Sequence, residues 1–254
     1  MKFNDVVNLY KNEILTDKSF TKDIIRIETH VESLKDWSEL ITLNDLKKLF
    51  KKKQKNCEMK IKKINLNRTR DWIIDNKTGN ISHNSKNFFT ILGVNIYGTK
   101  KREVGKSWDQ PLLKEKNLVG GIVGIIRKKI NNIPYYLIEF KSEPGNADKV
   151  QISPCLQATY SNIYKAHGGR APFLANFFLN PKQNGFKVLF EQYMSEDGGR
   201  FYKKKNKGML IECSHKKKIS ISNNFFWLSL FQLKYFIKNN SWVNPHTRSI
   251  ISHL

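Results

Sequence analysis

Apolar and polar positions divide the chain into three stretches. Near the start, Phe3, Val6, Val7 and Tyr10 fall at i, i+3, i+4 and i+7, the spacing of one helix face. Ile24, Ile27, Val31 and Leu34 repeat it, with Thr21 placed to cap. A shorter stripe, Leu46, Leu49 and Phe50, follows Thr42 and Asn44, either of which can serve as N-cap. Residues 51–63 are basic and poor in apolar side chains. They predict a boundary between a helical leader over 1–63 and a main body over 64–254.

From Trp72 the period changes. Phe88 to Tyr97, Val119 to Arg127, Tyr135 to Lys141, Phe186 to Phe190 and Gly208 to Cys213 are short runs rich in β-branched and aromatic residues, punctuated by Gly, Asn or Pro. They predict strands, with Asn131-Asn132 and Pro134 forming a hairpin turn between two of them. Leu228, Phe231, Tyr235 and Phe236 return to helical spacing, and Asn239-Asn240 ends that helix. Helix, then sheet, then helix predicts an α+β fold with a mixed or antiparallel sheet. No internal repeat is present.

Composition narrows the class. In 254 residues, 45 Lys and Arg against 22 Asp and Glu give 45 − 22 = +23. Aromatics at 12% argue against a disordered polyelectrolyte. The charge fits a nucleic-acid binder or a Lys- and Asn-rich protein with an anionic ligand. The Lys runs at 51–53, 203–205 and 216–218 are dispersed, which favours the second reading. Cys57, Cys155 and Cys213 show no CxxC spacing, so neither a disulfide framework nor a cysteine zinc site is expected. The longest apolar runs, Val119 to Ile126 and Phe225 to Leu233, fall short of the ~20 residues that span a bilayer. No signal-peptide core follows Met1, so a soluble cytoplasmic protein is expected.

Six segments are dense in polar, Gly and aromatic residues: Ile81 to Phe89 around His83; Trp108-Asp109-Gln110-Pro111; Phe140-Lys141-Ser142-Glu143-Pro144-Gly145-Asn146; Ser153 to Asn162, containing Gln157-Ala158-Thr159; Ser195-Glu196-Asp197-Gly198-Gly199-Arg200-Phe201-Tyr202, with Asn206 following; and Val243-Asn244-Pro245-His246-Thr247-Arg248. In this order, from about Trp72 to Leu254, they resemble the NDP-hexose 2,3-dehydratase family. Departures are local. Cys155-Leu156 stand where the family pattern carries Thr-Val, Tyr160 stands at an often basic position, and His246 replaces an Asp. Family members typically carry two tandem modules, and this chain holds one. A homodimer that restores the pair is therefore expected. The resemblance implies a Nudix-like fold. The Glu-rich Nudix box that binds metal is absent, so pyrophosphatase activity is not expected.

The resemblance also implies the chemistry. A nucleotide-linked 4-keto-6-deoxyhexose, dTDP-linked as the resemblance implies, loses the proton on carbon 3 to a base. The enolate then expels the carbon 2 hydroxyl, and tautomerisation gives a 3,4-diketo-2,6-dideoxy sugar. No net hydride moves, so no redox cofactor is expected, and no Gly-x-Gly-x-x-Gly run follows a strand. No metal is expected either, for want of carboxylates or histidines at ligand spacing. The reaction needs a base, an acid and donors for the enolate oxygen.

His83 is the first acid or base candidate, since histidine titrates near pH ~6.5. From spacing alone it could equally be a surface loop residue, and the resemblance favours the site. Lys141 and Glu143, on alternate positions of a strand end, share a face. A solvent-side ion pair is the other reading of those two. Glu196 lies beside two glycines that let backbone approach a ligand. Arg200 and Arg248 are the pyrophosphate candidates, or else ordinary surface arginines. Gln157, Thr159 and Asn162 suit sugar hydroxyls or a base edge, or else cap local turns. Asn206 and Asn244 complete the substrate-binding set with Trp108 and Gln110; the indole of Trp108 can stack on base or sugar, a core tryptophan being the other reading. Trp72 and Trp227 are expected in the core. A catalytically silent sugar-nucleotide-binding module is the remaining alternative.

Overall fold

The computed structural model describes residues 1–14, 24–98, 107–116, 119–166 and 168–254. Three helices come first: α1 (Phe3–Ile14), α2 (Ile24–Leu34) and α3 (Leu43–Lys55). Thr42 caps α3, accepting from the Asp45 amide; the proposed Thr21 cap of α2 lies outside the described residues. Four short strands follow, β1 (Trp72–Ile74), β2 (Ile81–His83), β3 (Thr90–Ile96) and β4 (Trp108–Lys114), forming an antiparallel sheet in that order. Pro111 is accommodated because β4 is the edge of this sheet.

The larger sheet has seven strands among the described residues: β5 (Val119–Ile130), β6 (Ile133–Ser142), β7 (Val150–Pro154), β8 (Leu156–Thr159), β9 (Phe186–Ser195), β10 (Lys205–Cys213) and β11 (Phe225–Leu228). Short helices α4 (Tyr160–Ile163) and α5 (Ala175–Leu179) precede β9. Helices α6 (Leu230–Ile237) and α7 (Pro245–Ile251) end the chain. The strand order is β11-β6-β5-β10-β9, antiparallel except for the β5–β10 pair. The sheet is therefore mixed and flanked by helices, the α+β arrangement the patterning predicted.

Asn131 and Asn132 turn the β5–β6 hairpin with φ of +50° and +66°, the left-handed values a tight two-residue hairpin requires. Leu228 lies in β11 rather than in the final helix. The run Phe225 to Leu228 is continuously apolar and pairs with β6, and the helix begins after Ser229 through a capping box with Gln232.

The mouth of the sheet follows from how β5 and β6 diverge. They pair from Ile126/Leu137 to the turn. Beyond that point β8 pairs with the other half of β5 and β7 with the other half of β6. Cys155 sits at the β7–β8 corner and donates its thiol to the Gly124 carbonyl at 3.3 Å. Burial pushes that thiol well above the ordinary range.

The leader helices share the core of the large sheet. Leu46 and Phe50 are fully buried, and the Phe50 ring meets Phe140 and Phe236 edge-on. From α2, Glu28 and Glu32 bind the guanidinium of Arg127 on β5 at 2.7 and 2.8 Å, and Glu212 on β10 closes the group. Arg127 is 1% exposed. Tyr136 donates its hydroxyl to Glu32 at 2.8 Å, so these buried polar groups are mutually satisfied.

Candidate active site

A cavity of about 840 Å³ opens where β5 and β6 splay. It receives side chains from β6 and the turn after it, from β8 and α4, from the 194–206 segment and from the start of α7. Lys141, Glu143, Gln157, Thr159, Asn162, Glu196, Arg200, Asn206 and Asn244 all line it. These residues are up to about a hundred positions apart in the chain, and sheet order brings them together.

Two polar groups form on its walls. In the first, Lys141 Nζ lies 3.3 Å from Glu143 and donates to the Gln157 carbonyl at 3.2 Å. The Gln157 amide donates to both Glu143 oxygens at 3.3 and 3.4 Å. Gln157 Oε1 is buried with no hydrogen-bond partner, an acceptor left open at the wall. In the second, Glu196 Oε1 accepts from Asn206 Nδ2 at 2.6 Å, with Lys204 Nζ at 3.8 Å and His246 Nε2 at 3.5 Å. Lys204, itself only 9% exposed, also binds Glu115 at 3.1 Å. Burial lowers His246 below its ordinary 6.5; Lys204 and Lys141 act in the same direction, and Glu196 and Glu143 oppose them. The imidazole is therefore neutral near pH 7.

Several of the lining residues also shape the backbone. Thr159 caps α4 through the Asn162 amide, and Asn244 caps α7 through the His246 amide. Asn244 and Thr247 tie α7 to β7: the Asn244 amide and the Thr247 hydroxyl both donate to the Ile152 carbonyl. This pair of contacts fixes His246 at the cavity rim. Arg200 is largely exposed and lies 3.4 Å from Asp197.

Four expected residues do not line the cavity. His83 lies on β2 in the small sheet; its Nδ1 is 2.8 Å from Ser85 Oγ, and its ring packs edge-on against Trp72 and Phe88. It is a strand residue in an aromatic cluster, and the small sheet holds it away from the splayed mouth. Arg248 donates to the backbone carbonyls of Val243, Ile237 and Asn240 at 2.8 to 3.1 Å. It joins the end of α6 to the start of α7. Trp108 donates to Gln110 at 2.9 Å, and Gln110 donates to the Gly199 carbonyl at 2.8 Å. With the Leu113–Arg200 and Tyr202–Leu113 backbone bonds, these two side chains hold the Arg200 loop from outside the cavity.

His246 and Lys204 carry no local sequence signal that marks them as site residues. Lys204 is the middle of a Lys run that looks solvated. His246 follows an Asn-Pro helix start, and its facing of Glu196 depends on a contact fifty residues away in the chain. A third such residue, Gln151 on β7, reaches the cavity because β7 fills the gap beside β6.

Fold and cleft define an α+β domain with a polar, acid–base-equipped pocket at the mouth of a mixed sheet. The family model described as NDP-hexose 2,3-dehydratase matches residues 43–254, and the chain belongs to that family. It is 33% identical over 186 residues to a dTDP-4-dehydro-6-deoxy-alpha-D-glucopyranose 2,3-dehydratase of Amycolatopsis orientalis, covering 72% of this chain and 38% of that one. It is 33% identical over 193 residues to a protein of the same name from Saccharopolyspora spinosa, covering 75% and 37%. The chain thus spans less than two-fifths of the length of these curated relatives. Among solved structures, the Nudix hydrolase RenU from M. smegmatis overlays 59% of this chain and 88% of its own, at 11% identity and a TM-score of 0.35.

Proposed function

We propose that this chain eliminates water across carbons 2 and 3 of a nucleotide-linked 4-keto-6-deoxyhexose, most simply the dTDP-linked sugar that its relatives are named for. The observation that carries the reading is the convergence of Lys141, Glu143 and Glu196 with neutral hydrogen-bonding residues on one cavity. Lys141 supplies positive charge for the carbon 4 oxygen as the enolate forms, where electrostatic stabilisation acts most strongly. Glu143, held by the Gln157 amide, keeps that ammonium in place. Glu196 balances positive charge on the facing wall. The open Gln157 Oε1 suits a sugar hydroxyl as donor. Arg200, exposed at the rim, suits the pyrophosphate. Trp108 and Gln110 act by positioning the loop that carries Arg200. The step needs no oxidant or reductant, so the reading calls on no redox cofactor.

The experiment is incubation with dTDP-4-keto-6-deoxyglucose, trapping of the unstable product by a ketoreductase, and mass measurement. Loss of one water from the sugar is the expected result. Binding of dTDP without any loss of water would favour the silent-module reading. That alternative leaves the charged groups on the cavity walls, Lys141 with Glu143 and Glu196 with Lys204, without a chemical role.

The same reading extends to assembly and compartment. Two copies of the chain pair; Ile61, Ile64, Leu66, Ile73 and Ile74 are all about half exposed or more and offer apolar surface for the contact. Sedimentation at micromolar concentration checks this, a monomer with full activity being the contrary result. The cytoplasm suits a protein whose three cysteines are all free thiols. Among the described residues no helix is long and apolar enough to cross a membrane.

A further inference from the structure

We infer that His246 is the proton carrier of the elimination, taking the carbon 3 proton and returning it to the departing carbon 2 hydroxyl, with Glu196 as its charge partner. This rests on the dehydratase reading above and assigns within it a residue that the sequence motifs did not supply.

Three observations carry the assignment. First, His246 lines the cavity and its backbone is fixed twice over, by the Asn244 cap and by the Thr247 bond to β7. Second, Nε2 lies 3.5 Å from Glu196 Oε1, close enough to tighten into a charge-assisted bond once the ring is protonated. Glu196 is itself braced by Asn206 at 2.6 Å. Third, the groups acting on the ring are balanced: Glu196 and Glu143 against Lys204 and Lys141. Burial keeps the resting imidazole neutral, and the Glu196 carboxylate is in place to compensate the imidazolium when it forms.

With Nε2–H directed to Glu196, the lone pair is on Nδ1. The carbon 3–hydrogen bond breaks, its electron pair moves onto the carbon 4 oxygen beside Lys141, and the proton passes to the imidazole. The enolate then collapses: the carbon 4 carbonyl re-forms, the carbon 3–carbon 4 pair becomes a carbon 2–carbon 3 double bond, the carbon 2–oxygen bond breaks, and the imidazolium gives its proton to the departing hydroxyl, which leaves as water. The remaining enol takes a proton at carbon 2 and loses its hydroxyl proton. One water is lost and no electrons are exchanged. A single carrier serves both transfers, so the cavity needs no separate acid for the leaving group.

The test uses the full chain with dTDP-4-keto-6-deoxyglucose carrying deuterium at carbon 3. His246→Ala is expected to lower turnover by about 100-fold or more, the range of a general acid–base group. Its affinity for dTDP and its melting temperature should stay close to wild type. Added imidazole should restore at least about tenfold of the loss, since it can occupy the vacated space and carry the proton. In the wild type, kcat/KM should fall on the acid side as the ring protonates, with a midpoint below that of an ordinary histidine because burial lowers His246. His246→Gln, which keeps a polar side chain of similar reach, is measured in parallel so that a folding defect in the alanine variant does not decide the matter. Turnover within about threefold of wild type in either variant, or a loss that imidazole leaves unchanged in a folded His246→Ala protein, overturns the assignment while leaving the dehydratase reading intact. A wild-type chain that binds dTDP and releases no water overturns the reading itself.

Discussion

The close approach of β5 and β8 at Gly121 gives a direct measure of how the sheet builds the cavity. Gly121 pairs with Thr159 across those strands. A Cβ at Gly121 would lie 2.1 Å from the Ala158 carbonyl oxygen and 2.7 Å from Thr159 Cα. Cβ atoms essentially never come nearer than 3.0 Å, so Gly121→Ala must push β8 away by at least 3.0 − 2.1 = 0.9 Å. The obstacle is backbone, and no rotamer relieves it. Overpacking of this kind costs about 1–3 kcal/mol. The displaced strand carries the Gln157 carbonyl that holds Lys141 and the Thr159 hydroxyl that caps α4. A shift of about 1 Å in such groups can lower turnover by about 100-fold. Urea unfolding of Gly121→Ala is compared with that of Gly93→Ala, where a Cβ meets nothing within 4 Å. The first variant should lose about 1–3 kcal/mol and most of its turnover. The second should stay within about 0.5 kcal/mol of wild type. A Gly121→Ala protein as stable and active as the Gly93→Ala protein would refute the argument that β8 is seated by this contact.

Other consequences are equally open to measurement. Burial pushes Glu32 up from 4.5 to about 7, so the native state keeps a proton that the unfolded chain releases between those values. Stability contributed through Glu32 therefore declines as pH rises from 4.5 to 7, and Glu32→Gln should gain on the wild type across that window in unfolding titrations. A pH-independent difference between the two proteins contradicts this. Arg248→Ala should lower the melting temperature through loss of three bonds from a charged donor to carbonyls, worth about 1.5–3 kcal/mol each at most, and Arg248→Lys should not recover it. Its dTDP affinity should be unchanged; a selective fall in affinity at wild-type stability would return Arg248 to the substrate. Cys57, whose thiol is lowered by the Ser142 hydroxyl, should react first with iodoacetamide in the native protein, and buried Cys155 last. Peptide mass mapping over time reads the order, and early labelling of Cys155 would mean that the β7–β8 corner opens.

Short-range features are legible in the chain alone. Helical spacing of Phe3 to Tyr10 and of Leu46 to Phe50 fixes which faces turn inward, because side-chain direction follows from the backbone period alone. Asn131-Asn132 fixes a tight hairpin, since asparagine tolerates the left-handed backbone the turn imposes. Alternation fixes Lys141 and Glu143 on one face, and their 3.3 Å contact follows. The order of polar segments also placed the chain in its family. What these pieces do together depends on how the folded chain assembles them. A parallel β5–β10 pair and the insertion of β7 and β8 between splayed strands have no periodic signature, yet they make the cavity. For the same reason, two histidines that look alike as sequence have different fates. His83 packs edge-on against Trp72 and Phe88 from a separate sheet, and His246 meets Glu196 across fifty residues of chain. Arg248, Trp108 and Gln110 end on backbone carbonyls or on each other, because a helix end and a loop near them need donors. Proximity in a folded sheet depends on strand order, and strand order is a property of the whole chain rather than of any segment of it.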